Sequence, residues 1–318
     1  MTKNHNNSPI HLGVLDNWHQ VSESIALAEE ADRLGYHRYW LTEHPPQPNP
    51  QMLAALVAGV TERIRVGTAG ILLNFHAPLQ AAQQFLLLEH VFPGRIDAGF
   101  CAGWTRDALA GALLDGRTDP RIAPETFVER ADALIGFLRG SLPAEHPFAS
   151  LHAWPGSQDV PEIWSFGTGA RSAAIAARHG TAFGYSLFHD PASDDTSHVD
   201  AYRDNFQPGP HLAQPLVGLA VAGVCAESEC EARRLVSQYE NKFILPTVIG
   251  SPRQCHEQFA TLAERYQTPE LVFLDVSPDF DSRLRSYRLL AEELGLCESE
   301  ASASDTITYR DFHMACTD

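Results

Sequence analysis

Arg38–Pro46 reads RYWLTEHPP. Tyr39, Trp40 and Leu41 are good strand formers. Thr42, Glu43 and His44 then bring polar groups to the strand's last positions, and Pro45 and Pro46 stop it, because proline lacks the donor that a sheet ladder needs. The segment predicts an apolar strand with an imidazole at its C-terminal tip. In a parallel sheet or an α/β barrel, ligands and catalytic groups gather at that end. A histidine there also serves as a plain capping or loop residue, so the surroundings decide.

Outward from this strand, the chain alternates. Ile10–Asp16 is a short apolar strand. Val21–Leu34 is an amphipathic helix, with Ser22 as candidate N-cap and Gly35 as its stop. Helix Met52–Thr61, strand Ile64–Leu73 and helix Pro78–His90 follow, then a turn and strand within Pro93–Gly103. Trp104–Pro124 reads as a long loop before helix Glu125–Leu138, and proline-rich Ser141–Pro161 as another. Long loops in compact domains are more often functional than decorative. Strands Glu162–Gly167, Phe183–Phe188, Pro215–Val224 and Leu271–Val276 alternate with helices Ala170–His179, Ser197–Asn205, Ser228–Glu240, Pro252–Tyr266 and Ser282–Leu294; Lys242–Ser251 reads as loop. Eight βα units over about 290 residues predict an α/β fold of the TIM (β/α)8 barrel type with loop insertions, rather than an open sheet. One barrel domain would span residues 10–296, after a disordered N-terminus over 1–9 and before a loose tail over 297–318. The FLLL run at Phe85–Leu88 makes its helix apolar nearly all round. With Met52–Thr61 it is expected to bury a homodimer interface.

The 318 residues are 44% hydrophobic, enough for a large core. A net charge of -17 and a pI of about 5.2 disfavour nucleic acid and acidic membranes, since both attract positive surfaces. No stretch approaches the roughly 18 apolar residues of a membrane span, and residues 1–9 lack a signal peptide's apolar centre. Cys101, Cys225, Cys230, Cys255, Cys297 and Cys316 form no C-x-x-C pair, which suits reduced thiols in a cytoplasm.

In a barrel the strand ends converge on one mouth. They bring Asp16 with Trp18, His44, Asn74–His76, Cys101 with Trp104, Thr168–Ser172, His189 with Asp190, and Ser277 with Asp279. An aromatic mouth with scattered polar groups suits a flat apolar ligand held by a few hydrogen bonds. GTGARS at Gly167–Ser172 follows a strand and opens a helix, so its backbone donors offer a phosphate site; Thr168 and Ser172 add hydroxyls, Arg171 a charge, and Gly169 close approach. The same letters resemble a dinucleotide fingerprint, with Asp190 about 20 residues on, or an ordinary glycine turn. Cys101 ends an apolar strand beside Ala102 and Gly103, the usual setting of a buried structural cysteine. The histidines show no ligand spacing, so no metal is indicated. With no G-x-S-x-G elbow and no Walker loop, simple hydrolase and kinase readings find no support.

Several pieces carry a resemblance: WLTEH ending at His44, IRVGTAGILL at Ile64–Leu73, the run His76–Gly103, GTGARSA at Gly167–Ala173, VIGSP at Val248–Pro252 and the helix Asp281–Leu294. In this order and spacing, through Leu12–Gly295, the chain resembles the bacterial luciferase-like family of flavin-dependent monooxygenases. The resemblance implies a TIM barrel with a flavin mononucleotide (FMN) site at the strand C-termini. It implies catalytic roles for His44 and Cys101, with Cys101 near the flavin's reactive carbon 4a. It implies phosphate binding by Thr168, Gly169, Arg171 and Ser172, and a non-proline cis peptide at Ala69–Gly70 beneath the flavin ring. It also implies homodimers. Two residues depart from the pattern. Ala102 stands where the family often has a phosphate-contacting arginine, a role left to Arg106 or Arg171. Pro45 stands where a second histidine is common.

The leading expectation is a two-component monooxygenase. A transient flavin reductase would supply reduced FMN, and O2 would add to give a flavin 4a-hydroperoxide that oxidises a small organic substrate. His44 would act as acid or base. The alternatives are a deazaflavin-dependent hydride-transfer oxidoreductase, a non-catalytic flavin-binding protein, and a nicotinamide dehydrogenase built on GTGARS. The last fits poorly, because four βα units precede a motif that usually opens its fold.

Overall fold

The computed structural model describes residues 10–17, 20–45, 47–103, 124–146, 148–155, 159–191 and 195–296. The expectations for residues 1–9, Trp18, Pro46, the Trp104 loop with Arg106, Cys297, Cys316 and the tail lie outside the described residues.

Ten strands appear among the described residues: β1 (His11–Asp16), β2 (Arg38–Leu41), β3 (Arg65–Thr68), β4 (Ile71–Leu72), β5 (Ile96–Cys101), β6 (Glu162–Gly167), β7 (Ala182–Ser186), β8 (Val217–Cys225), β9 (Val248–Gly250) and β10 (Glu270–Asp275). Their pairings are parallel, and β10 joins β1 on one side and β8 on the other, so the sheet closes. The result is the eight-stranded α/β barrel that the alternation predicts, with β3 and β4 sharing one staves' place and β9 attached outside the ring to β8.

Alternation along each strand sorts side chains into two layers. Val14, Tyr39 and Leu41 face the helices, whereas Leu15, Trp40, Trp164, Phe166 and Leu274 fill the interior. Trp40 stands edge-on to Trp164 and Phe166, with ring centroids 5.2 Å apart in both pairs. Such rings need small neighbours. A Cβ on Gly67 would come within 2.6 Å of the Trp40 ring, and one on Gly184 within 2.2 Å of Phe166.

Below these rings, at the strands' N-terminal end, lies a buried charge cluster. Arg38 donates to Asp97 at 2.6 Å, contacts Glu162 at 2.9 Å and lies 3.4 Å from Glu270. Its guanidinium sits over the Trp164 ring at 5.0 Å. Arg65 binds the other oxygen of Asp97 at 2.5 Å. Burial alone would lower the Arg38 pKa, but the three carboxylates raise it above its ordinary value.

Several local expectations need correction. β2 ends at Leu41, so Thr42–His44 lie beyond the strand, and the predicted strand Ile64–Leu73 is broken by the cis peptide Ala69–Gly70. Val248–Gly250, read as loop, pairs with β8 because Gly223 lets the two backbones meet: a Cβ there would lie 1.7 Å from Val248 O. Leu187–His189 form a 3-10 turn rather than the end of a strand. The helix expected to reach Glu240 stops at Val236, and Gln20, not Ser22, precedes the first helix. In FLLL, Phe85, Leu86 and Leu88 are buried within the chain, and only Leu87 is exposed. The helix carrying them packs on helix Pro124–Arg139.

Arg38→Ala leaves the fully buried Asp97 with one partner instead of two. The expected loss is about 3–5 kcal/mol. Arg285→Ala, which breaks only an exposed pair with Glu227, should cost less than about 1 kcal/mol. Urea unfolding of both variants measures the contrast.

Candidate active site

A cavity of about 660 Å³ opens at the C-terminal end of the barrel. Its volume lies within the usual range for ligand sites. Eight of the residues singled out in the sequence line it: His44, Ala69, Gly70, Cys101, Thr168, Gly169, Arg171 and Ser172.

The first wall is built by the segment after β2. Prolines end pairing there, so Thr42, Glu43 and His44 turn away from the ladder at the mouth. His44 lies at the exposed rim, and its Nε2 is 2.5 Å from Asn17 Oδ1, which also accepts from the Thr42 hydroxyl at 2.8 Å. Asn17 thus ties the imidazole to the Thr42 hydroxyl and fixes the ring's orientation at the rim. Glu43 points inward and is buried. Its carboxylate accepts the Leu72 N–H at 2.6 Å and binds His76 Nε2 at 2.9 Å. Arg130 in turn donates to the His76 carbonyl at 2.9 Å.

The floor comes from the break between β3 and β4. The Ala69–Gly70 peptide is cis, as the resemblance implies. Gly70 presses on β5, where a Cβ would lie 2.7 Å from the Phe100 backbone. Its carbonyl accepts a weak bond from the Cys101 thiol at 3.8 Å. Burial, reinforced by the charge of Glu43, pushes that thiol up to about 12. Cys101 therefore stays a neutral thiol at physiological pH.

The third wall is the turn from β6 into helix Ala170–His179. Gly169 precedes the helix in extended backbone, and a Cβ there would meet nothing within 4 Å. The helix's first amides have no acceptor within the helix, and no acidic residue lies in its first turn. Thr168 and Arg171 are exposed, while Ser172 is buried. The Ser172 hydroxyl donates to the Gly169 carbonyl at 2.9 Å, so its proton is engaged in holding the turn. The Arg171 guanidinium lies 5.9 Å from the Phe127 ring centre. Leu15, Leu72, Phe166, Phe188, Ile244 and Leu274 supply the apolar lining.

Some expected mouth residues lie elsewhere. Asp16 accepts from the Tyr39 hydroxyl in the outer layer at 2.9 Å, and Asp279 caps the last helix through the Ser282 N–H. Strand-end position nominates neither Asn17 nor Glu43 as a site residue. Glu43 was visible as the middle of the Thr42–His44 polar triplet, but nothing in the sequence joins Asn17 to His44.

The raised thiol pKa gives a direct test. Iodoacetamide at pH 8 should modify exposed Cys230 while leaving Cys101 unlabelled, and Cys101 labelling should rise only as the pH approaches 12. Peptide mass mapping across a pH series reads both sites.

A family profile described as luciferase-like monooxygenase matches residues 1–269. The Bacillus subtilis (strain 168) protein YceB is 29% identical over 313 residues, covering 86% of this chain and 93% of its own length. The crystal structure of apo-MsnO8 matches with a TM-score of 0.78 at 30% identity, over 90% of this chain and 99% of that one. The oxygenating constituent of 3,6-diketocamphane monooxygenase from the CAM plasmid of Pseudomonas putida, a type II Baeyer–Villiger enzyme solved with FMN, has the same fold. Its TM-score is 0.69 at 17% identity, over 90% of this chain and 97% of that one. A closed parallel barrel with this profile along most of its length makes the chain a member of the luciferase-like monooxygenase family.

Proposed function

We propose that this chain is the oxygenating component of a two-component monooxygenase that takes reduced FMN from a separate reductase and uses O2 to oxidise a small organic substrate. One observation carries the reading: a single cavity is walled by the His44–Asn17 pair, the Ala69–Gly70 turn with Cys101, and the Thr168–Ser172 helix start. FMN in the 3,6-diketocamphane enzyme, on the same fold, supports the choice of cofactor.

The donor set fits a flavin phosphate. Unpaired helix-start amides, the Thr168 hydroxyl and Arg171 would hold the phosphate, with Gly169 leaving room for it. Ser172 would hold the turn in shape rather than donate. Bound reduced flavin supplies the reactivity toward oxygen. The chain's own residues orient, shield and move protons. The apolar lining excludes water. His44, oriented by Asn17, would exchange a proton with the substrate. Cys101, a neutral thiol, would line the flavin pocket without serving as base or nucleophile. The apolar walls favour a substrate with a sizeable hydrocarbon portion.

Replacing His44 with alanine should leave FMN affinity nearly intact and slow turnover by roughly 10²-fold or more. FMN should bind at least about tenfold more tightly than riboflavin if the helix start holds phosphate. Equilibrium dialysis of the two ligands, with oxygen uptake driven by chemically reduced FMN, tests the reading. Equal affinities, or turnover only with a deazaflavin and no oxygen uptake, would remove it.

The assembly proposed is a homodimer. Met52, Leu56 and Val60 form an exposed apolar stripe on helix Pro50–Val60, and Leu87 and Val91 continue it on the adjacent helix Pro78–Val91. Light scattering should find a dimer for the native chain and a monomer for Leu56→Arg, with unchanged circular dichroism.

A further inference from the structure

We infer that the N-terminal end of the barrel, opposite the cavity, carries a transition-metal site formed by His11, His37 and Glu270. β1 runs between β10 and β2, and His11 is the register partner of Glu270 at the start of both strands. His37 immediately precedes β2, and its backbone N–H donates to Leu12 O at 3.1 Å. Ladder pairing therefore brings the three side chains to one level on three neighbouring strands. Five residues of β1 separate this level from the cavity end, about 17 Å at the rise of a parallel strand, so the site is independent of the flavin pocket.

The three groups already converge. His11 Nδ1 lies 2.6 Å from Glu270 Oε1, and His37 Nδ1 lies 3.2 Å from Oε2. The two rings are 5.1 Å apart, and the three ligand atoms lie within 4.8 Å of one another. A tetrahedral ion with bonds of about 2 Å needs only small side-chain rotations to be held by such a set. Two imidazoles and one carboxylate suit Zn2+, Cu2+, Ni2+ or Co2+ rather than Mg2+ or Ca2+.

The charge balance points the same way. Asp97, Glu162 and Glu270 carry three negative charges against the two of Arg38 and Arg65. Arg38 is the group that would oppose a cation, but it gives its two short contacts to Asp97 and Glu162 and touches Glu270 only at 3.4 Å. The side chains of His11 and His37 are 44% and 39% exposed and that of Glu270 is 9%, so an ion can enter and keep a water ligand. A metal ion would take the Nδ1 lone pair of each ring. The ion would pin β10, β1 and β2 where the barrel closes.

The test is a titration of metal-stripped full-length protein with Co2+, followed by its visible absorption, and with Zn2+, followed by calorimetry. One equivalent with micromolar or tighter affinity is expected, together with a Tm that climbs with Zn2+ concentration. His11→Ala and His37→Ala should each weaken binding at least about tenfold while leaving circular dichroism and FMN binding unchanged. These half-exposed positions keep the test valid even if Glu270→Gln, which also touches Arg38, fails to fold. No binding at millimolar metal, or equal affinity in the native chain and both histidine variants, overturns the inference.

Discussion

One guanidinium organises the lower half of the barrel. Arg38 begins β2, yet it reaches carboxylates on β5 and β6, lies near one on β10, and stacks on Trp164. A buried cation of this kind is tolerated only when its partners are in place. Asp97, wholly buried, is likewise acceptable only because Arg38 and Arg65 both bind it. The cluster therefore makes the relative placement of these strands an all-or-none matter. Above it, Trp40, Trp164 and Phe166 fill the bore, so the barrel is a packed core with a cavity only at its upper end.

That arrangement explains why the chemistry collects where it does. The lower end is closed by ion pairs and the middle by aromatic rings, which leaves the strand C-termini as the open end. There each connection leaves the ladder in its own way. Two polar residues and a histidine follow β2, a cis peptide divides β3 from β4, and a glycine turn feeds the helix after β6. The three walls differ in character: an imidazole oriented by Asn17, a floor with a neutral thiol, and the first amides of a helix. Asn17 ties the imidazole's orientation to the end of β1, so the rim depends on the same β1–β2 pairing that brings His11 and His37 together at the other end.

The roles of the individual site residues follow from their partners more than from their identity. Ser172 is a hydroxyl in a glycine-rich turn, but its proton goes to the turn's own carbonyl. Cys101 faces the cavity, yet burial and Glu43 keep its proton in place. Glu43 itself, coupled to His76 and the Leu72 amide, holds β4 against the segment after β2. In each case a group that could react is committed to shape.

The sequence by itself determined the architecture and the outline of the site. Hydrophobic runs of strand length alternating with amphipathic helices specify a barrel, because each such segment must bury one face and parallel strands need crossovers. Local signals placed some helix ends and missed others: Gly35 adopts the left-handed conformation that stops the first helix, whereas Gln20 rather than Ser22 precedes it. Strand-end position was enough to nominate His44, Cys101 and Thr168–Ser172. Only the tertiary structure decided which groups face each other. Asn17 against His44, Glu43 against His76, Arg38 against Asp97, and His11 with His37 against Glu270 are contacts between distant segments, and side-chain spacing along the chain carries no record of them. Nor could the sequence show that three of the four residues in FLLL pack inward, since a helix apolar on all sides does not reveal which face the barrel takes. The physical reason is the same throughout: periodicity encodes the burial of a face, while the partner across that face is chosen by strand register once the ring closes.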